Sequence, residues 1–192
     1  MARARKVARA LLRVPSLHVY RQWGVVRPMV AVMSTVAARI YDYGDKLRVV
    51  VSADKRMSWH NATVTKLWAF ENEDALFPVL GGAGTFTSVR QAAQWVEAGG
   101  DTENKPELDD KDFHLLAVDR EGKLWLAADS LEWIPIEEDV ASIGSGSYYA
   151  MGALLAGSTP ERAIQIASRM DSATGNGITE VHFDITKEKD NG

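Results

Sequence analysis

Residues 143–177 constrain the fold more than any other part of the chain. They read as a Gly-Ser-Gly turn at Gly144–Gly146, a helix, a break at Thr159-Pro160, a second helix, and the run Asp171-Ser172-Ala173-Thr174-Gly175. Thr159 suits an N-cap, Pro160 suits the first helical position, and Glu161 places negative charge in the first turn. Ala163, Ile166, Ala167 and Met170 then recur at helical spacing, as do Ala150, Ala153, Leu154 and Gly157 in the helix before. Two consecutive helices with such small, apolar faces need a broad surface to lie on. The remainder of the chain reads as sheet.

With 192 residues, 46% of them hydrophobic, the chain has ample material for one core, and one domain is expected. It has no cysteine, which excludes disulfides, thiolate metal sites and cysteine nucleophiles together. The histidines, His18, His60, His114 and His182, lie far apart and show no HExxH spacing, so neither a metal nor another cofactor is expected. No apolar run approaches the roughly 20 residues of a membrane span. Charge is uneven. Residues 1–33 carry Arg3, Arg5, Lys6, Arg9, Arg13, Arg21 and Arg27 and no acidic residue, so the 26 acidic residues all belong to the remainder. A body that acidic argues against nucleic acid as a partner. The leader, 1–33, is set apart from the fold as a processed or untranslated segment.

Along the chain, Ser34–Tyr41 and Leu47–Asp54 predict a β-hairpin around Tyr43–Lys46. Thr63–Phe70 predicts a third strand, and Leu76–Leu80 a short fourth that runs into Gly81-Gly82-Ala83-Gly84. Val89, Ala92, Ala93 and Val96 then mark a helix with Thr85 or Thr87 as cap, ending at Gly99-Gly100. Residues 101–112 are acidic, are broken by Pro106, and read as a surface loop. A second hairpin, Phe113–Asp119 with Lys123–Ala128, follows, then a short strand near Trp133–Ile136. After the helix pair come a last strand, Ile178–Ile185, and a polar tail, 186–192. This order predicts an α+β domain over 34–185, a four-layer αββα sandwich of two antiparallel sheets between helices.

Familiar motifs fail. Gly144-Ser145-Gly146-Ser147 lacks the flanking glycines of a nucleophile elbow, and Tyr149 stands where a dinucleotide fingerprint needs its third glycine. Gly81-Gly82-Ala83-Gly84 precedes a helix but no Lys-Ser/Thr follows, so a phosphate loop has little support. A hydroxyl nucleophile at a chain terminus fits better. Its own α-amine, with pKa about 7.7–8.0, can accept the hydroxyl proton. A nearby lysine keeps that amine neutral, a carboxylate holds the lysine, and a backbone N–H at a glycine turn takes the oxyanion. Ser34, Asp54, Lys66 and Gly84 supply these parts.

These residues, with others in the same order, resemble the N-terminal nucleophile hydrolases of the proteasome β-subunit and HslV type, nearest to the short proteasome-like proteins of bacteria and phages. The resemblance covers residues 33–185. Met33-Ser34-Thr35-Val36 resembles the family's Met-Thr-Thr-Ile start, and Ser52–Arg56 its aspartate-bearing strand end. Lys66 matches its lysine, and Gly82–Thr85 its oxyanion turn. Ile143–Gly146 is similar to its serine turn, and Asp171–Gly175 to its Asp-x-x-Ser-Gly, with Thr174 for serine. The resemblance implies a peptidase with catalytic Ser34, Asp54, Lys66 and Gly84, with Ser145, Asp171 and Thr174 supporting the terminal amine. It implies protein or peptide substrates, a cytoplasmic homo-oligomeric ring and an ATPase unfoldase as partner. A non-catalytic ring or scaffold subunit and a small-molecule amidase are the rival expectations.

Thr35 is the alternative nucleophile. The first hairpin is a few residues longer than in HslV, and an even extension of about four residues keeps each side chain on its face, which favours Ser34. The loop 101–112 stands where the family has a long helix. The amine of Ser34 is free only if translation begins at Met33 (or Met29) or if a propeptide is cut before Ser34. The later start is the expectation, since Ser34 is small enough for methionine removal.

Overall fold

A computed structural model describes residues 33–57, 62–108 and 110–187. The described residues form two antiparallel sheets and three α-helices. Strands β1 (Thr35–Asp42) and β2 (Lys46–Asp54) form the long first hairpin, with Val36 opposite Ala53 and Asp42 opposite Leu47. Strands β8 (Val140–Gly144) and β9 (Ile178–Thr186) flank it, giving the order β8-β1-β2-β9. The second sheet runs β3 (Leu67–Ala69), β4 (Val79–Gly84), β5 (Phe113–Val118), β6 (Leu124–Ala128) and β7 (Ile134–Pro135), each paired with the next.

Period-two alternation sorts β1 between two environments. Val36 and Ala38 join Val49, Val51, Leu116, Val118 and Leu124 in a cluster shared by both sheets. Ala37, on the opposite face, packs with Ala150, Leu154, Ala163 and Ile164 of α2 (Ser147–Leu155) and α3 (Pro160–Met170). A third cluster joins Leu80, Leu115 and Ala117 to α1 (Phe86–Glu97) through Val89, Ala92, Ala93 and Val96. Each fully buried Val or Leu contributes about 1.5–3 kcal/mol, so these clusters carry the fold.

Several elements differ from expectation. The third strand shortens to Leu67–Ala69, with Thr63 making only a lone bridge to Arg56. Residues Gly81, Gly82, Ala83 and Gly84 lie inside β4 rather than in a turn after it, and close packing explains the glycines at 81 and 82: a Cβ on Gly81 would meet Val36, and one on Gly82 would meet Val89. Val140–Gly144 is a strand that pairs with β1, which its short polar context concealed. α3 buries Ala163, Ile164 and Ala167, while Met170 is exposed, so its inner face is turned from the one the spacing suggested. Thr159 caps α3 by accepting from Arg162 N–H at 3.2 Å. Residues 101–112 form a loop with one 3-10 turn, Thr102–Asn104. The leader, apart from Met33, lies outside the described residues, as do Trp59 and the tail beyond Lys187. Among the described residues, no helix is long and apolar enough to cross a membrane.

Candidate active site

Ser34 sits at the entrance to β1, buried, with φ +99°. Its carbonyl accepts the Ser145 N–H at 2.9 Å. Gly144 permits that approach: its φ is +95°, and a Cβ there would overlap the Ser34 carbonyl. One residue earlier, the Met33 carbonyl accepts the Gly84 N–H at 3.0 Å. Gly84 holds φ +111°, and a Cβ on it would overlap the Asp112 carbonyl and lie 2.7 Å from Phe113 Cα. Gly84→Ala should therefore destabilise the protein by roughly 1–3 kcal/mol in urea unfolding and displace this donor. A variant as stable as its parent would contradict that account.

Asp54, fully buried at the end of β2, accepts four hydrogen bonds. Three come from backbone N–H groups: Thr35 at 2.8 Å, Arg56 at 3.0 Å and Gly175 at 2.9 Å. The fourth comes from Lys66 Nζ at 3.1 Å, a pair with side chains 5% and 0% exposed. Lys66 also donates to the Arg56 carbonyl. Burial pulls the Lys66 ammonium below the usual lysine value; Asp54 opposes that shift and Arg56 adds to it. Lys66, just before β3 rather than within it as the expected strand Thr63–Phe70 had it, is thus buried with a partner.

Asp171 collects a second array. Ser145 Oγ donates to it at 2.5 Å, Thr174 Oγ1 at 2.6 Å and Ala173 N–H at 3.0 Å. Burial is the largest single influence and pushes the carboxyl up, but these hydrogen bonds and Arg56 together outweigh it, and the net shift is downward. The folded carboxyl therefore ionises below its unfolded value of about 3.9. In that interval the unfolded chain binds more protons, so stability present above it is lost as pH falls through the folded pKa. Asp171→Asn should be less stable than its parent at pH 7 in urea, and the gap should close from about pH 4 downward. A gap independent of pH would refute this.

The structure thus brings Ser34, Asp54, Lys66, Gly84, Ser145, Asp171 and Thr174 to one place, from both sheets and the loop after α3. Thr35 is present as well, but its hydroxyl faces the α2–α3 side with Ala37. It pairs with Thr174 Oγ1 at 2.6 Å and accepts the Gly146 N–H at 3.1 Å. Ser145 does not cap α2, whose N-cap is Gly146. Sequence reasoning missed the parts played by backbone: the N–H groups of Arg56 and Gly175 on Asp54, and the Arg56 carbonyl on Lys66. Main-chain donors have no side-chain signature; the glycines flanking Ser145 were the available sign of close approach. Among the described residues, no cluster of three or more His, Asp or Glu is placed to hold a metal.

Compared with known proteins, the sequence matches no family model and no curated protein. Among solved structures it is similar to the BPH protein of Thiobacillus denitrificans. The match to BPH alone has 15% identity and a TM-score of 0.58; that to BPH in complex with epoxomicin has 14% identity and a TM-score of 0.58. Each covers 80% of this chain and 100% of the other. At such identity the likeness is one of fold.

Proposed function

We propose that this chain is an N-terminal nucleophile peptidase of proteasome-like, four-layer αββα architecture, cleaving peptide bonds through an acyl-enzyme on Ser34. The observation that carries this reading is the Met33 carbonyl on the Gly84 N–H. It puts a peptide carbonyl, bonded directly to the Ser34 nitrogen, on the donor an oxyanion would need. Support also comes from the fold neighbour, which binds epoxomicin, a proteasome inhibitor. Three separate core clusters, two of them between helix and sheet, favour the four-layer arrangement.

In the mechanism, water first hydrolyses the Met33–Ser34 peptide bond, leaving a carboxylate on Met33 and an amine on Ser34. That amine takes the Ser34 hydroxyl proton while Oγ attacks the scissile carbonyl carbon. The Gly84 N–H holds the resulting oxyanion. Lys66, fixed by Asp54, keeps the amine neutral at working pH and stabilises the negative charge as it develops. Collapse breaks the C–N bond, and the leaving amine takes the proton back from the Ser34 ammonium. Water then hydrolyses the ester on Ser34 by the same proton route in reverse, releasing a carboxylic acid. A homo-oligomeric ring, an unfoldase partner and a cytoplasmic location belong to the same reading.

Intact-mass analysis of the purified protein, run beside a panel of fluorogenic peptides and small amides, tests it. The reading expects Ser34 as the first residue in active material and turnover of peptides. Peptidase activity from protein whose chain still begins upstream of Ser34 would overturn it, as would turnover of small amides alone.

A further inference from the structure

Thr35 is fully buried, yet every polar atom it carries beyond its carbonyl is bonded to the site. Its N–H donates to Asp54, and its hydroxyl meets both Gly146 and Thr174. The directions of these bonds follow from counting protons. An ionised carboxylate only accepts, and a hydroxyl has one proton to give. Thr174 gives its proton to Asp171, so the short bond between the two threonines is donated by Thr35. The chain therefore runs one way: Gly146 N–H to Thr35, Thr35 O–H to Thr174, Thr174 O–H to Asp171. Ser145 likewise spends its proton on Asp171. Its oxygen, 3.4 Å from the Ser34 carbonyl oxygen, has only lone pairs left for anything nearby. Lone pairs are what an amine bearing N–H needs.

We propose that Thr35 is a positioning residue for the reaction: its hydroxyl locks the start of β1 to the Asp171 array, and so holds the Ser34 amine beside the acceptor Ser145. This rests on the peptidase reading above. Among the described residues, Thr35 links the two arrays, through its N–H to Asp54 and through its hydroxyl toward Asp171. Gly146 makes room for it, since a Cβ there would overlap the Thr35 hydroxyl and lie 2.9 Å from that of Thr174. Without the hydroxyl, the Gly146 N–H is buried and unpaired, and Thr174 loses its incoming donor. The first residue then loosens, and its amine moves toward water.

Two substitutions in the full chain separate this role from packing. Thr35→Val keeps the volume and removes the hydroxyl; Thr35→Ser keeps the hydroxyl and drops the methyl. Hydrolysis of a fluorogenic peptide is measured across pH, with thermal unfolding to check that each variant folds. Thr35→Val should lower kcat about 10- to 100-fold with KM nearly unchanged. The acid limb of its kcat/KM profile should move up toward the ordinary α-amine value, about 7.7–8.0. Thr35→Ser should restore both rate and limb. A folded Thr35→Val variant with parental rate and profile overturns the proposal while leaving the peptidase reading in place. A Thr35→Val variant as inactive as Ser34→Ala, with acylation mapped by mass spectrometry to Thr35 in the parent, also overturns it and shifts the nucleophile by one residue. Absence of peptide turnover by the parent chain, with Ser34 at its N-terminus, removes the peptidase reading itself and the proposal with it.

Discussion

Ser34→Ala should reduce peptide hydrolysis by roughly 10³- to 10⁶-fold, the range in which removal of a nucleophile leaves only binding and oxyanion stabilisation at work. Only the attacking oxygen is lost. Serine and alanine at φ +99° are strained alike, so the fold should tolerate the change with a stability difference of a few tenths of a kcal/mol. A rate within tenfold of the parent, in a variant that unfolds at the parental urea concentration, would refute Ser34 as nucleophile. The same backbone strain, of order 1–3 kcal/mol, adjoins the Met33–Ser34 peptide and is relieved when that bond is broken. Ser34→Ala protein keeps that strain but lacks the attacking oxygen, so it should keep its upstream residues wherever the parent removes them by its own chemistry, and intact mass reads that directly.

The second large effect concerns the buried pair. Lys66→Met leaves the Asp54 carboxylate buried without a cation, which should destabilise the protein by about 3–5 kcal/mol and lower activity at least 100-fold. Asp54→Asn leaves the ammonium uncompensated in the same place, with a similar loss. The double variant Asp54→Asn/Lys66→Met removes both charges together and should recover part of the stability lost in either single variant, because no uncompensated charge stays buried; the remainder is lost because the carboxamide NH2 cannot accept a backbone N–H as the carboxylate oxygen did. Activity should not return. Urea unfolding beside peptide hydrolysis thus separates what the pair does for the fold from what it does for the reaction. Recovery of both, or of neither, would contradict the roles assigned to Asp54 and Lys66.

The side chains of the candidate site stood out in the chain because their types are unusual where they stand. A lysine between Val64 and Leu67 must either reach solvent or be paired, and an aspartate ending a helix opposes the dipole and wants a partner. Both found partners, Lys66 with Asp54 and Asp171 with Ser145 and Thr174. The choice between Ser34 and Thr35 was harder to read. Hairpin parity favours Ser34, but parity depends on where the strand starts, and β1 begins at Thr35 only because Ser34 takes a left-handed backbone. The role of the glycines was partly concealed for a related reason. Composition marks 81–84 as turn-like, whereas they lie in a strand, where close packing by Val36 and Val89 explains the glycines at 81 and 82.

Taken alone, the chain determined its long first hairpin, the helix pair after residue 143, the absence of thiol chemistry, and the order of hydroxyl, carboxylate, lysine and glycine along it. These are local: period, capping and residue type are written over a few neighbours at a time. Tertiary structure decided that β8 closes one edge of the first sheet, that Gly84 N–H meets the Met33 carbonyl, and that main-chain donors from three segments converge on Asp54. Those contacts join residues up to 121 positions apart. Nothing in the intervening sequence encodes them singly; they follow from burying two sheets and their helices together.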